Sequence, residues 1–289
     1  MLYICGVLIH SYTMIQIQNL GFAYGRTPVL RGIDMTLTDG HIYGLLGENG
    51  VGKTTLLALL CGLQRPTMGS ISIDGHVPYQ RRPSFLGDIF YLSENVPPVA
   101  QRAADFMAER GPFWPKFSAE KFMSLMRELD NDPGKRMDRM SAGQLKKTYI
   151  SFALACNTKH LLLDEPTNGL DIPSKALFRS ALMRHTADDA LVVITTHQVR
   201  DLESVVDPIV ILDQQEVLLS ATLDEIASRL YFDYSTQPNP DALYCEQLPG
   251  SMVQVYPNTS GVESKVNVEA LFNAVHRHKQ TVKDLFNCK

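Results

Sequence analysis

The sequence has no apolar run of the ~18–20 residues that a membrane-spanning helix needs. Any membrane role is therefore expected to be borrowed from a partner. The longest candidate, Leu2–Ile9, is short and carries neither a basic leader nor a clear cleavage site. Residues 1–13 are expected to be an upstream extension, because Met14 directly precedes the strand-like stretch MIQIQNL. Cysteines are few, 5 in 289 residues, and Cys5, Cys61, Cys156, Cys245 and Cys288 show no CxxC and no paired spacing. They fit reduced, intracellular thiols packed as small apolar groups, and no disulfide staple is called for. Excess charge is missing too: a net charge of −4 argues against a broad basic face for duplex nucleic acid. With 45% hydrophobic and 20% charged residues, wholesale disorder is excluded. There are no internal repeats and no low-complexity tracts.

The periodicities predict an α/β chain. Ile15, Ile17 and Leu20, then Val29, Ile33, Met35 and Leu37, alternate as strands, and Asp39-Gly40 reads as a hairpin turn. His41–Leu46 is a short apolar strand, and Lys53–Leu63 has the length and leucine content of a buried helix. Gly69–Gly75 alternates again. From Ala103 to Leu129 the pattern turns helical, with a Ser118 cap before Phe122, Leu125, Met126 and Leu129. Residues 159–164 and 191–196 are strands fit to be covered on both faces, with a helix at 174–185 between them, which predicts a parallel sheet. Further on, 209–212 and 217–219 read as strands and 223–230 as a helix. Strands at 242–247 and 252–256 and one amphipathic helix from Val268 to Phe286 predict a small C-terminal appendage.

The most specific local feature is GENGVGKTT: Gly47, Glu48, Asn49, Gly50, Val51, Gly52, Lys53, Thr54 and Thr55. It matches GxxxxGK[ST] and lies between an apolar strand and a helix. Small residues let the backbone wrap a phosphate chain, N–H groups point at its oxygens, and the helix adds its positive end. Lys53 supplies a point charge for the β/γ phosphates, and the Thr54 hydroxyl suits Mg²⁺. LLLDEP places Asp164 and Glu165 at a strand end, where adjacent carboxylates are costly without a metal or hydrogen bonds. The first suits metal binding and the second could align or deprotonate water. In MSAGQ, Ser141 and Gln144 form an S-x-x-Q capping box, so a plain structural helix remains open there.

Taken in order, GENGVGKTT, SAGQ, LLLDEP, NGLD and TTH resemble the ATP-binding subunit of ATP-binding-cassette (ABC) transporters from Met14 onward. The resemblance implies a P-loop NTPase core of ABC type with an antiparallel β subdomain and a helical subdomain. The divisions expected are the ATPase domain at 14–222, with its helical part at about 95–158, and an α+β appendage at 223–289. It implies that Tyr24 stacks on adenine, that Lys53, Glu165 and His197 act on ATP, and that Thr54, Asp164 and Glu94 serve Mg²⁺. Ser141, Gly143 and Gln144 would contact the γ-phosphate in an opposite subunit, and Asp171 would lie in a loop crossing that interface. The usual LSGGQ is here MSAGQ, and Glu94 stands where Gln is common, a change carried by some exporter-type members.

The implied function is ATP hydrolysis that powers a separate transmembrane permease, most similar to the multidrug and antibiotic exporters. The working unit is expected to be a dimer with a second nucleotide-binding subunit, peripheral on the cytoplasmic face of the cell membrane, with no nucleic-acid partner. An alternative is a soluble ABC-type mechanochemical ATPase acting on nucleic acid or ribosomes. A P-loop GTPase fits poorly, since no NKxD guanine reader is present. Phe85, Phe90, Phe106, Met107 and Phe113 are candidate anchors for a permease helix. The Lys146-Lys147 and Arg81-Arg82 pairs read as packing or solvated charge, and His276 and His278 are not expected to share a metal.

Overall fold

Alternation in the first residues of the computed structural model, which describes residues 14–287, sets up the first sheet. The expected extension 1–13 and the last two residues lie outside the described residues. Along β1 (Met14–Tyr24), Ile15, Ile17, Leu20 and Phe22 are buried between polar neighbours. A two-residue turn, Gly25-Arg26, brings β2 (Thr27–Thr38) back antiparallel, pairing Tyr24 with Thr27. Asp39-Gly40 is not a hairpin turn. The strand that follows, β3 (Ile42–Leu46), enters a different sheet, because its unbroken apolar run needs cover on both faces. The Gly40 N–H instead donates to Ala190 O at 3.0 Å. After α1 (Lys53–Leu60), β4 (Met68–Ile73) completes a three-stranded antiparallel sheet on the other side of β1.

A short turn of helix, α2 (Pro83–Leu86), leads to β5 (Ile89–Leu92) at the edge of the main sheet. Then come three helices, α3 (Ala103–Arg110), α4 (Ala119–Glu128) and α5 (Ala142–Ala155). The Ser118 hydroxyl caps α4 as expected, accepting from Lys121 N at 3.1 Å. The sheet continues with β6 (His160–Asp164), then α6 (Ile172–His185), β7 (Leu191–Thr196), β8 (Ile209–Asp213) and β9 (Glu216–Ala221). Its order is β5-β6-β7-β3-β8-β9, parallel except for β9. One core packs the antiparallel sheet and α1 against one face, and a second packs the helices against the other. The C-terminal ends of β3, β6 and β7 therefore open at one edge.

Phe152, in the last turn of α5, holds the helical part together. Its ring lies within 5.1–6.3 Å of Phe90, Phe106, Trp114, Phe117 and Phe122. Burial corrects the list of candidate anchors, through Phe152 for Phe90 and Phe106 and in the other core for Phe85. Phe85, Phe90 and Phe106 are buried and Met107 is packed against the core, so of the five only Phe113, 68% exposed, is free to touch a partner. Lys146 and Lys147 are also buried rather than solvated.

Beyond β9, α7 (Leu223–Arg229) is followed by β10 (Leu230–Ser235), β11 (Tyr244–Leu248) and β12 (Ser251–Pro257), ordered β10-β12-β11. The sequence pattern extends the helix through Leu230 and assigns no strand at 231–235, where β10 runs. The expected single terminal helix is two, α8 (Val268–Arg277) and α9 (Lys279–Asn287), broken at His278. This appendage shares the main core: Leu230, Val255 and Leu271 are buried in the same cluster as Val206 and Ile209. Asp213, at the end of β8, is gripped by Lys279 Nζ at 2.5 Å, with His276 Nδ1 3.6 Å away.

Removing the central ring should loosen the helical part. Phe152→Ala is expected to cost ~3–5 kcal/mol, read as a lowered urea midpoint; a shift within error of zero would contradict the packing described.

Candidate functional site

Where β3 ends, the chain must turn in very little space. A Cβ at Gly47 would lie 2.6 Å from the Leu212 carbonyl oxygen, so the loop can leave the sheet there only as glycine. Gly52 precedes α1 with φ 111°, a left-handed backbone that L side chains avoid. The loop thus turns its N–H groups and the start of α1 toward one open cleft. Lys53 is buried beneath it, and its ammonium donates to Gly47 O at 2.7 Å and Glu48 O at 3.1 Å. Burial pulls the Lys53 pKa below the usual lysine range, and Glu165, 3.6 Å away, opposes that shift.

The two acids at the end of β6 are held by different means. Asp164 is almost fully buried; its Oδ1 accepts from Thr195 Oγ1 at 2.6 Å and its Oδ2 from the Tyr91 hydroxyl at 3.2 Å. Burial and the neighbouring Asp164 push the Tyr91 phenol pKa up, which keeps it a donor. Thr195 also accepts from Glu165 N at 2.9 Å, so one hydroxyl bridges both acids. Glu165 adopts φ 45°, a strained conformation for a non-glycine residue. That twist brings its Oε1 to 2.9 Å from His197 Nδ1.

Glu94 follows β5 and is tied from two sides. Its Oε1 accepts from Asn168 Nδ2 at 2.8 Å, and its main-chain oxygen accepts from Lys146 Nζ at 2.5 Å. Burial lowers the Lys146 pKa, and Glu94 is the first charge that counters it. Lys146 therefore links the Glu94 turn to α5 of the helical part.

These residues surround a cleft of about 470 Å³. Of the expected residues, Tyr24, Asn49, Gly50, Gly52, Lys53, Thr54, Thr55, Glu94, Glu165 and His197 line it. Val29 and Asn168 line it as well, and sequence reasoning missed both, together with Tyr91 and Thr195 behind the acids. Tyr24 stands at the rim, 53% exposed and edge-on to Phe22. Gly47, Glu48 and Val51 serve as loop backbone, and Asp164 sits below the surface.

Ser141, Gly143, Gln144 and Asp171 do not line the cleft of their own chain. Ser141 caps α5 in a complete capping box: Gln144 N donates to Ser141 Oγ at 3.3 Å, and Ser141 N to Gln144 Oε1 at 3.2 Å. Ser141 and Ala142 are nevertheless exposed, so the positive end of this helix faces outward. Asp171 caps α6 by accepting from Ser174 N at 2.9 Å, and hydrogen bonding to the side chain and then the main chain of Ser174 holds its pKa below the ordinary carboxylate value.

Among the described residues no three His, Cys, Asp or Glu side chains form a metal cage. Mg²⁺ keeps waters and takes one or two protein oxygens alongside phosphates. Thr54 and Glu94 line the cleft and Asp164 lies buried behind it at the end of β6, all three offering oxygen donors of the kind this ion takes.

Residues 30–168 match the family model described as ABC transporter. Over 197 residues the chain is 33% identical to the ABC transporter ATP-binding protein YybJ of Bacillus subtilis, covering 67% of this chain and 90% of that one. It is 30% identical over 223 residues to the sulfate/thiosulfate import ATP-binding protein CysA of Caulobacter vibrioides, covering 73% and 66% of the two chains. To the linearmycin resistance ATP-binding protein LnrL of Bacillus subtilis it is 27% identical over 226 residues, covering 75% and 72%. A solved structure described as the ATP binding subunit of an ABC transporter aligns with TM-score 0.66 at 24% identity, over 74% of this chain and 92% of that one, a likeness of fold.

Because Lys53 is the only lysine or arginine among the described residues lining the cleft, Lys53→Ala is expected to weaken ATP·Mg²⁺ binding by roughly 10–100-fold. That is the ~1.5–3 kcal/mol of hydrogen bonding to a charged group. Calorimetric titration checks it, and unchanged affinity in a folded variant would contradict the phosphate assignment.

Proposed function

The chain belongs to the ABC transporter ATP-binding proteins, and from that premise we propose that it hydrolyses ATP·Mg²⁺ in this cleft to drive a separate permease. The observation that carries this reading is convergence: loops from β3, β5, β6 and β7 bring Lys53, Thr54, Glu94, Glu165 and His197 to one cleft. The adenine would stack on exposed Tyr24 with Val29 beside it. The phosphates would lie on the loop N–H groups, and the Lys53 ammonium would exchange its loop carbonyls for phosphate oxygens. Glu165 holds the attacking water and accepts its proton, while the water oxygen bonds to the γ-phosphorus and the bond to the bridging oxygen breaks. His197, beside Glu165, fixes that carboxylate and reaches the γ-phosphate side. Thr54, Asp164 and Glu94 would hold Mg²⁺, which when bound neutralises phosphate charge.

The cleft is open, and the outward-facing start of α5 lies outside it. A second cassette presenting its own Ser141, Gly143 and Gln144 would cover the nucleotide and exclude water, with the Asp171 turn at the seam. Transport outward is favoured by the likeness to the linearmycin resistance protein and by Glu94 and the C-terminal appendage, which resemble the exporter branch.

No helix among the described residues is long and apolar enough to cross a membrane. The permease would instead be met at a groove of about 520 Å³ beside β5, whose rim includes Leu63, 55% exposed, and Phe113. Such a groove accepts the apolar face of a short helix, which would place this chain on the cytoplasmic face.

Two outcomes follow. Glu165→Gln should retain ATP·Mg²⁺ binding and lose hydrolysis by at least ~100-fold, the usual contribution of a general base; wild-type turnover would put the base elsewhere. Phe113→Asp should release the chain from membranes containing its permease without altering ATP affinity; unchanged sedimentation with those membranes would move the docking site.

A further inference from the structure

Tyr91 belongs to two sites at once. Its ring lines the groove beside β5, while its hydroxyl donates to Asp164 Oδ2 at 3.2 Å. The sheet imposes this double placement. β5 is the edge strand, and its register pairs Tyr91 with Leu162. Side chains two residues apart share a face, so Asp164 falls on the same side as Tyr91. The other Asp164 oxygen is held by Thr195 from the sheet interior. Of the two donors that orient this acid, one is therefore anchored in the core and the other sits in a groove wall.

The groove lining also includes Trp114, the single tryptophan of the chain. Its indole Nε1 donates to Ile89 O at 3.1 Å and its ring lies 5.1 Å from Phe90. Tyr91 and Trp114 thus grip the same four-residue strand, one through its side chain's own backbone and one through a hydrogen bond and ring contact.

Resting on the nucleotide and permease readings above, we infer that Tyr91 is a positioning residue that couples the groove to the metal-binding acid. An occupant that shifts the groove wall shifts the donor on Asp164. By reciprocity, filling the nucleotide site with ATP·Mg²⁺ alters the groove. The Glu94 turn, three residues further along the chain, gives a separate connection through Lys146 that does not involve this hydroxyl.

The test follows Trp114 emission while ATP·Mg²⁺ is titrated onto the full chain, with binding measured in parallel by calorimetry. In the wild type the emission should change and saturate with the calorimetric isotherm, and ATP in EDTA should give no such change. Tyr91→Phe keeps the ring and removes the hydroxyl. It should bind ATP·Mg²⁺ and lose most of the emission amplitude. A full wild-type amplitude in Tyr91→Phe overturns the inference. So does an identical response to metal-free ATP in the wild type, or no response from a wild type that binds ATP·Mg²⁺. Absence of calorimetric binding in the wild type would instead overturn the nucleotide reading, and this inference with it.

Discussion

A parallel sheet delivers the C-terminal ends of its strands to one edge, and loops leaving that edge are where such folds bind ligands. Here that constraint assembles the site. β3 supplies the phosphate loop, β5 the Glu94 turn, β6 the paired acids and β7 His197, although these segments lie far apart in the chain. The close pass of Gly47 against Leu212 on β8 fixes where the loop leaves the sheet. The C-terminal appendage supports the same strand from outside, since Asp213 follows Leu212 and is gripped by Lys279 from α9.

The second constraint is charge. Adjacent carboxylates at a buried strand end would be costly without partners. Asp164 meets that cost with two hydroxyl donors and Glu165 with Lys53 and His197. Lys53 in turn is held by its own loop carbonyls. Only the carbonyl acceptors on Lys53 are partners that phosphate oxygens can replace, so its ammonium can take up a charged ligand while the acids keep their donors.

Much of this was legible in the sequence, for identifiable reasons. The phosphate loop and LLLDEP announce themselves because backbone wrapping and paired acids restrict residue type at fixed spacing. Tyr91 and Thr195 do not, because an ordinary hydroxyl gains its role only from cross-strand register: Asp164 pairs with Thr195 across β6 and β7. Asp39-Gly40 misled because hairpin chemistry is local, whereas the apolar demand of β3 for two covered faces is not. Phe90 and Phe106 misled likewise, since aromatic content alone does not separate a docking face from the packing around Phe152, and Phe85 is buried in the other core. β10 and the break at His278 were lost where strand and helix patterns abut.

Under the function proposed above, one chain carries half of a nucleotide site, because the capped end of α5 does not line its own cleft. The most direct measurement is the solution mass of Glu165→Gln by light scattering, before and after ATP·Mg²⁺. The account predicts a single-chain mass that doubles on nucleotide binding and falls back when the metal is chelated. A chain that binds ATP·Mg²⁺ stoichiometrically and keeps its single-chain mass would contradict it.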